Sequence, residues 1–290
     1  MRILVFGANG QVGTELRAID WGNDTLIALG RDQADLSVAG DAASAIDKEK
    51  PDLVINASAY TAVDQAENEP ELAMAVNGAA PGEMAQACVK RNIPLIHIST
   101  DYVFDGSKSG AYVEDDPVNP MGAYGRSKEA GERAVREILD RHIILRTAWV
   151  FSAHGQNFVK TMLRLGAERD ELGIIDDQHG CPSAAAEIAG AIEVIARRIT
   201  AGEDISWGTY HFCGAGETTW FGLAKAIFKM AGPQMTKQPM VKPITTDDYP
   251  LPAKRPANSV LDCTKIEVTF GIQPQPWRDG LADVIDRIYT

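Results

Sequence analysis

Apolar residues along this chain come in short unbroken runs rather than in strict alternation. Residues 2–6 (Arg-Ile-Leu-Val-Phe), 25–29, 53–56, 95–98 and 143–145 each form such a run, and Gly7, Gly30, Asp52 and Pro94 punctuate them. Runs of three to five largely apolar residues predict strands buried on both faces, as in a parallel sheet. Longer segments between them carry helical spacing: 14–19, 39–48, a stretch entered at Asn68-Glu69-Pro70-Glu71 and running to about Lys90, and one opening at Tyr124. Pro70 suits a first helical turn, and the acids beside it complement the positive end of the helix dipole. Strand and helix alternate five times, which predicts an α/β fold with a doubly wound parallel sheet and ligands outside the carboxyl ends of its strands.

Beyond Phe151 the alternation loosens. Helices are expected at 157–165, 185–198 and 277–288, with another entered at Thr218-Thr219-Trp220; short strands are expected at 172–175 and 208–212. The prolines of 233–256 break any regular pattern there. This divides the chain into a sheet domain, residues 1–150, and a smaller substrate-binding lobe, residues 151–290, some of whose helices return to flank the sheet.

Charge narrows the choice of partner. The 290-residue chain has a formal net charge of −12, the wrong sign for a nucleic-acid binder. The excess is uneven: residues 1–150 hold 14 Lys+Arg against 23 Asp+Glu, and residues 151–290 hold 14 against 17. An anionic ligand therefore meets a milder field in the second half. No stretch approaches the ~20 apolar residues of a membrane span, and the N-terminal run is too short for a signal peptide, so no membrane partner and a cytoplasmic location are expected. Cys88, Cys181, Cys213 and Cys263 and the five histidines show no metal-ligand spacing. The cysteines read as buried apolar residues.

Candidate chemistry falls at strand ends. The first strand runs into Gly7-Ala8-Asn9-Gly10-Gln11-Val12-Gly13 and then a helix, a strand–glycine turn–helix unit that lets backbone N–H groups meet a pyrophosphate. The spacing Gly-x-x-Gly-x-x-Gly differs from the common Gly-x-Gly-x-x-Gly, but its place after the first strand predicts a Rossmann-type dinucleotide site. At the tip of the second strand stand Gly30 and Arg31 rather than an acid. That favours a 2′-phosphate and hence NADPH over NADH, although Asp32 is next door. Small residues, Ala57 to Thr61, follow the third strand.

Tyr124 is the only one of seven tyrosines with a lysine, Lys128, four residues on. Positions i and i+4 share a helix face. A free phenol titrates near pH ~10, and a neighbouring ammonium favours its ionised form, so the pair suits proton transfer. Thr100 closes the fourth strand beside them.

These features together resemble the extended short-chain dehydrogenase/reductase family over nearly the full length. The resemblance rests on Ser-Thr-Asp-Tyr-Val-Phe-Asp-Gly (99–106), Asn-Pro-x-x-x-Tyr-Gly-x-Ser-Lys (119–128), Arg-Thr-x-Trp-Val-Phe (146–151), Asn-Phe-Val-Lys-Thr-Met-Leu (157–163), Asp-Gln-x-Gly-x-Pro-Ser (177–183), Thr-Thr-Trp (218–220) and Arg-Pro-x-Asn-Ser-x-Leu (255–261). It implies an NADPH-dependent reductase of a nucleotide-linked 4-keto-6-deoxy sugar. Tyr124 would protonate the C4 oxygen, Lys128 would lower the phenol pKa and hold the nicotinamide ribose, and Thr100 would orient the carbonyl. Asp101 and Trp149 would contact the sugar; Asp35 and Leu36 would contact the adenine. Gln11 and Val12 would meet the pyrophosphate, and Ala57, Ala59, Tyr60 and Thr61 would run beside the adenosine and ribose. Arg255 is the expected cation for the anionic end of the substrate.

Two other readings stay open: a nucleotide-sugar epimerase or dehydratase that retains NAD, and an NADP-bound regulatory subunit. Some members of the family dimerise around magnesium. Glu15 fits one ligand position, but Glu187 is the only acid near the other, so Glu15 is read as a solvated side chain and no metal is assigned. A homodimer is compatible with the resemblance.

Overall fold

The apolar runs pair side by side. In the computed structural model, which describes residues 1–290, β1 (Arg2–Phe6) leads into α1 (Gln11–Ala18), followed by β2 (Thr25–Leu29), α2 (Asp41–Glu49), β3 (Leu53–Asn56), α3 (Pro70–Met74), α4 (Ala80–Arg91), β4 (Leu95–Thr100), α5 (Ala123–Ile138) and β5 (His142–Thr147). The remainder comprises β6 (Val150–Phe151), α6 (Phe158–Glu168), β7 (Glu171–Ile175), β8 (His179–Gly180), β9 (Ser183–Ala184), α7 (Ala185–Thr200), β10 (Gly208–His211), β11 (Thr218–Thr219), α8 (Trp220–Ala231), β12 (Met240–Ile244), α9 (Thr264–Phe270) and α10 (Trp277–Tyr289).

Six strands form one sheet in the order β2-β1-β3-β4-β5-β10, and every pairing is parallel. From β1 the chain moves out to β2, then crosses back to β3 on the other side. This reversal between β1 and β3 is the switch point at which open α/β sheets leave a crevice.

Alternate residues of β1 explain the layers. Ile3 and Val5 pack with Val12 and Leu16 of α1 and with Ile188, Ile192 and Ile195 of α7. Leu4 and Phe6 point the other way, into a core with Ile46 of α2, Met84 and Cys88 of α4 and Val135 of α5. A third core, built on Val159, Met162, Leu223, Ile227, Trp277 and Leu281, belongs to α6, α8 and α10 of the lobe.

Three details depart from the sequence pattern. Helix α1 starts at Gln11, three residues earlier than its apolar spacing suggests. The segment up to Arg91 is not one helix: a π-helical turn, Ala75–Ala79, interrupts it between α3 and α4. The strand near 208–212 joins the main sheet beside β5, delivered there by α7 after that helix has packed across α1. Tyr210 and His211 are fully buried in consequence.

Candidate active site

Gly7 has φ +88°, and a Cβ there would stand 2.7 Å from the backbone of Ala57. A Cβ on Gly13 would be 2.0 Å from the Gly7 carbonyl oxygen. Both positions therefore require glycine for the strand–turn–helix to close. With the turn closed, the first N–H groups of α1, at Gln11, Val12 and Gly13, have no intrahelical acceptor and face the crevice as an anion site. Gln11 is held by Asn157, whose Nδ2 donates to its Oε1 at 2.9 Å.

A cavity of about 190 Å³ continues from this turn along the ends of β1, β2 and β3, lined by Gly7, Gly30, Arg31, Asp35, Leu36, Ala59 and Tyr60 among others. Its shape and apolar walls fit an adenosine moiety. Arg31 stands exposed at the rim and donates to Asp35 Oδ2 at 3.2 Å. The Asp35 carboxyl lies below its ordinary range, chiefly through bonds from the Ser37 hydroxyl and N–H. Thr61 is exposed beyond the cavity.

The loop carrying Ala57 to Thr61 is fixed by Asn77, a residue of the π-helical turn. Its Oδ1 accepts the Tyr60 N–H (2.8 Å), and its Nδ2 donates to the Tyr60 carbonyl (3.0 Å) and to Ser127 Oγ (3.0 Å) on α5. The extra residue of the π turn brings a side chain from mid-helix to bear on both neighbours. Nothing in the local pattern announces it beyond an Asn-Gly pair, poor helix formers, inside an otherwise helical stretch.

Tyr124, Lys128 and Thr100 come together at the adjoining strand end. Tyr124 is the second residue of α5 and is buried; its hydroxyl lies beside that of Thr100, whose own proton goes to Asp101 Oδ1. Burial pushes the phenol up to about 12, against the opposing effect of the Thr100 hydroxyl. The expected depression of this pKa by Lys128 is not what the structure shows. Lys128, also buried, donates from Nζ to the Ile98 carbonyl at 2.7 Å, and burial lowers its own pKa to about 8 while Glu132 opposes that fall. The phenol is accordingly a protonated acid at neutral pH in the ligand-free site.

Behind Lys128, Glu132 is fully buried and receives Arg146 Nη2 at 2.7 Å and Nε at 2.9 Å. A buried ion pair of this kind fixes α5 to β5 and leaves a net negative neighbour for the ammonium only in part.

Asp101 follows Thr100 and is buried. It accepts the Thr100 hydroxyl on Oδ1 (2.9 Å), and its Oδ2 has no partner. Burial raises its pKa to about 6, with the nearby Ser259 and Thr100 hydroxyls acting the other way.

Trp149 holds φ +46°, a strained value for a bulky residue. Trp220 stacks on it at 3.6 Å with the planes 4° apart, and Gly180 leaves no room for a Cβ beneath its ring. Trp220 Nε1 donates in turn to Gln178.

Two expectations change. Arg255 is not free: its guanidinium meets both oxygens of Asp64, at 3.1 and 2.7 Å. Asp64 carried no signal of its own in the sequence. Glu15 is not a solvated side chain: it is buried and paired with Arg287 at 2.9 Å, with His154 at 3.7 Å and the Ser152 hydroxyl at 3.3 Å. Glu187 has Asp279 and Asp283 as neighbours and burial raises its pKa to about 7. No group of three or more His, Cys, Asp or Glu side chains is arranged to hold a metal ion. With a guanidinium already neutralising Glu15, these residues do not fit a magnesium site.

Comparison with known proteins agrees with this geometry. The family model described as RmlD substrate binding domain matches residues 1–290. A dTDP-4-dehydrorhamnose reductase of Aggregatibacter actinomycetemcomitans is 45% identical over 287 residues, covering 98% of each chain. Among solved structures, a dTDP-4-dehydrorhamnose reductase of Clostridium acetobutylicum superposes with a TM-score of 0.91 at 36% identity and 100% coverage of both chains. The enzyme of Bacillus anthracis, solved in complex with NADP, gives 0.90 at 33% identity and 99% coverage of both. The glycine turn, the Tyr124–Thr100 contact and a match from the first residue to the last place this chain in the RmlD substrate binding domain family, that of the dTDP-4-dehydrorhamnose reductases.

Proposed function

We propose that this protein reduces the C4 ketone of dTDP-4-dehydro-6-deoxy-L-mannose with NADPH, giving dTDP-L-rhamnose. The observation that carries the reading is the placement of the buried hydroxyl of Tyr124 beside that of Thr100, at the end of the dinucleotide crevice. The cradle fits a nicotinamide dinucleotide: a glycine turn in which a Cβ on Gly13 would stand 2.0 Å from the Gly7 carbonyl oxygen, free N–H groups of α1, and an apolar cavity rimmed by Arg31. Arg31, rather than an acid, at that rim supports a 2′-phosphate.

When bound, the cofactor supplies hydride to C4. Tyr124 supplies the proton: as C4 gains hydride, the carbonyl π bond becomes an O–H bond formed with the phenolic hydrogen, and the phenolate left behind is reprotonated from solvent. Thr100 turns its hydroxyl from Asp101 to the ketone oxygen, fixing the carbonyl and donating to the charge that develops there. Lys128, whose ammonium sits on the Ile98 carbonyl, is the group to hold the nicotinamide ribose. Trp149 offers an apolar face to the sugar ring, and Arg255 lies on the lobe side, towards the nucleotide end.

Purified protein mixed with NADPH and the dTDP-linked 4-keto sugar is expected to consume one NADPH per sugar, followed by loss of absorbance and by chromatography of the product. No consumption, together with NAD retained through purification, would favour an epimerase or dehydratase, which regenerates its cofactor.

A further inference from the structure

Helix α5 begins at Ala123 on Gly122, which has no side chain to cap it, and Tyr124 is its second residue. An uncapped helix start frays, and a donor hydroxyl in the first turn would fray with it. The missing acceptor comes from a distant segment. Glu67, in the helical turn Gln65–Glu67 after β3, places Oε1 2.7 Å from the Ala123 nitrogen and accepts its N–H. A Cβ on Gly122 would lie 2.8 Å from that same oxygen, so glycine at this position makes room for the carboxylate.

Three residues earlier, Asp64 grips the lobe. It takes both terminal nitrogens of Arg255 and also accepts the Ala253 N–H at 3.2 Å. Between the two acids, Ala66 is fully buried in a small cluster with Ala73, Ala123 and Tyr124 itself. One short segment therefore touches the lobe at one end and the proton donor's helix at the other.

We propose that Glu67 is a positioning residue for the reduction: its carboxylate, seated by the grip of Asp64 on the lobe, fixes the first turn of α5 and with it the Tyr124 hydroxyl against Thr100. The inference rests on the reading of Tyr124 as the proton donor. Glu67 itself touches neither reacting atom, and it acts through Ala123.

Steady-state kinetics of three variants test it, with NADPH affinity measured by fluorescence titration. Glu67→Ala is expected to lower kcat about tenfold, a modest share of what misplacing a reacting group by an ångström can cost. KM for the nucleotide sugar and the Kd for NADPH are expected to stay within about twofold. Glu67→Gln keeps an oxygen that can accept the Ala123 N–H, so its kcat is expected within about twofold of the parent. The double variant Asp64→Ala/Glu67→Ala is expected to lose no more kcat than Glu67→Ala alone, because both act through one segment.

An unchanged kcat in Glu67→Ala overturns the proposal. So does a Glu67→Gln variant as slow as Glu67→Ala, which would assign the effect to charge rather than to the cap. Multiplying losses in the double variant overturn the coupling to the lobe. Failure of the underlying reading looks different: the parent protein itself would leave NADPH unconsumed.

Discussion

The two walls of the crevice are built differently. At the pyrophosphate end of the cofactor wall the backbone does the work: Gly7 and Gly13 close a turn and α1 presents N–H groups, all within a dozen positions of one another. On the wall proposed to face the sugar, side chains from remote segments hold one another. Trp149 stacks on Trp220, and Arg255 reaches back 191 residues to Asp64. A backbone site tolerates almost no change at a few glycines and is indifferent elsewhere. A side-chain site can be retuned at many positions, each with a graded effect, and this is where a choice among sugars can be made.

The largest expected effect lies where the walls meet. Tyr124→Phe removes the proton donor and leaves the ring, its edge-to-face contact with Tyr102 and the first turn of α5 in place. Removing a general acid typically costs about 10² to 10⁴ in rate. We expect kcat to fall in that range while NADPH titration gives an unchanged Kd. If cofactor affinity fell along with turnover, the cofactor wall would extend to Tyr124 and the contrast between walls would lose its boundary.

That contrast also explains how much could be read without coordinates. The sheet follows from five apolar runs, because burial on both faces writes itself directly into composition. Gly7, Gly13, Tyr124 and Lys128 were legible because each pattern is local: a turn, or one helical repeat. Asn77 was not, since its partners Tyr60 and Ser127 lie 17 and 50 residues away and a π turn leaves no periodic trace. Asp64 and Glu67 carry no signal until the fold sets them against Arg255 and Ala123. Glu15 shows the reverse error. An acid on a short polar helix looks solvated, and only the return of α10 buries it against Arg287. The environment of Lys128 was misjudged for the same reason. Helical spacing places it near Tyr124, but the strand that supplies the Ile98 carbonyl decides where its ammonium points.

A smaller effect sharpens the sugar wall. Gly180→Ala would put a Cβ 2.4 Å from Trp149 Cε2, so the indole must leave its stack with Trp220 or the strand must shift. Overpacking of this kind costs about 1–3 kcal/mol. If Trp149 faces the sugar, KM for the nucleotide sugar should rise about tenfold, equivalent to about 1.4 kcal/mol, with kcat less affected and NADPH affinity unchanged. Intrinsic tryptophan fluorescence reports whether the stack has opened. An opened stack with an unaltered KM would remove Trp149 from the sugar wall.

The smallest effect concerns Asp101, and its sign follows from linkage. Its folded pKa is raised from 3.8 to about 6 by burial, so between these values the native protein holds a proton that the unfolded chain has released. Stability from this group is fully present below about pH 4, falls as pH rises towards 6 and stays constant above. The whole change amounts to about 3 kcal/mol at most, by the free-energy equivalent of the pKa change. Glu187 titrates in an overlapping window with the same sign, so the wild-type curve alone does not isolate it. The difference between wild type and Asp101→Asn does, because the amide cannot ionise. Urea midpoints taken from pH 4 to pH 7 should show the wild type losing ground to the variant as pH rises, with no further change beyond about 6. A constant difference across that range would mean that Asp101 is already ionised at pH 4, and that the unpartnered Oδ2 reaches solvent rather than waiting, dry, for a hydroxyl of the sugar.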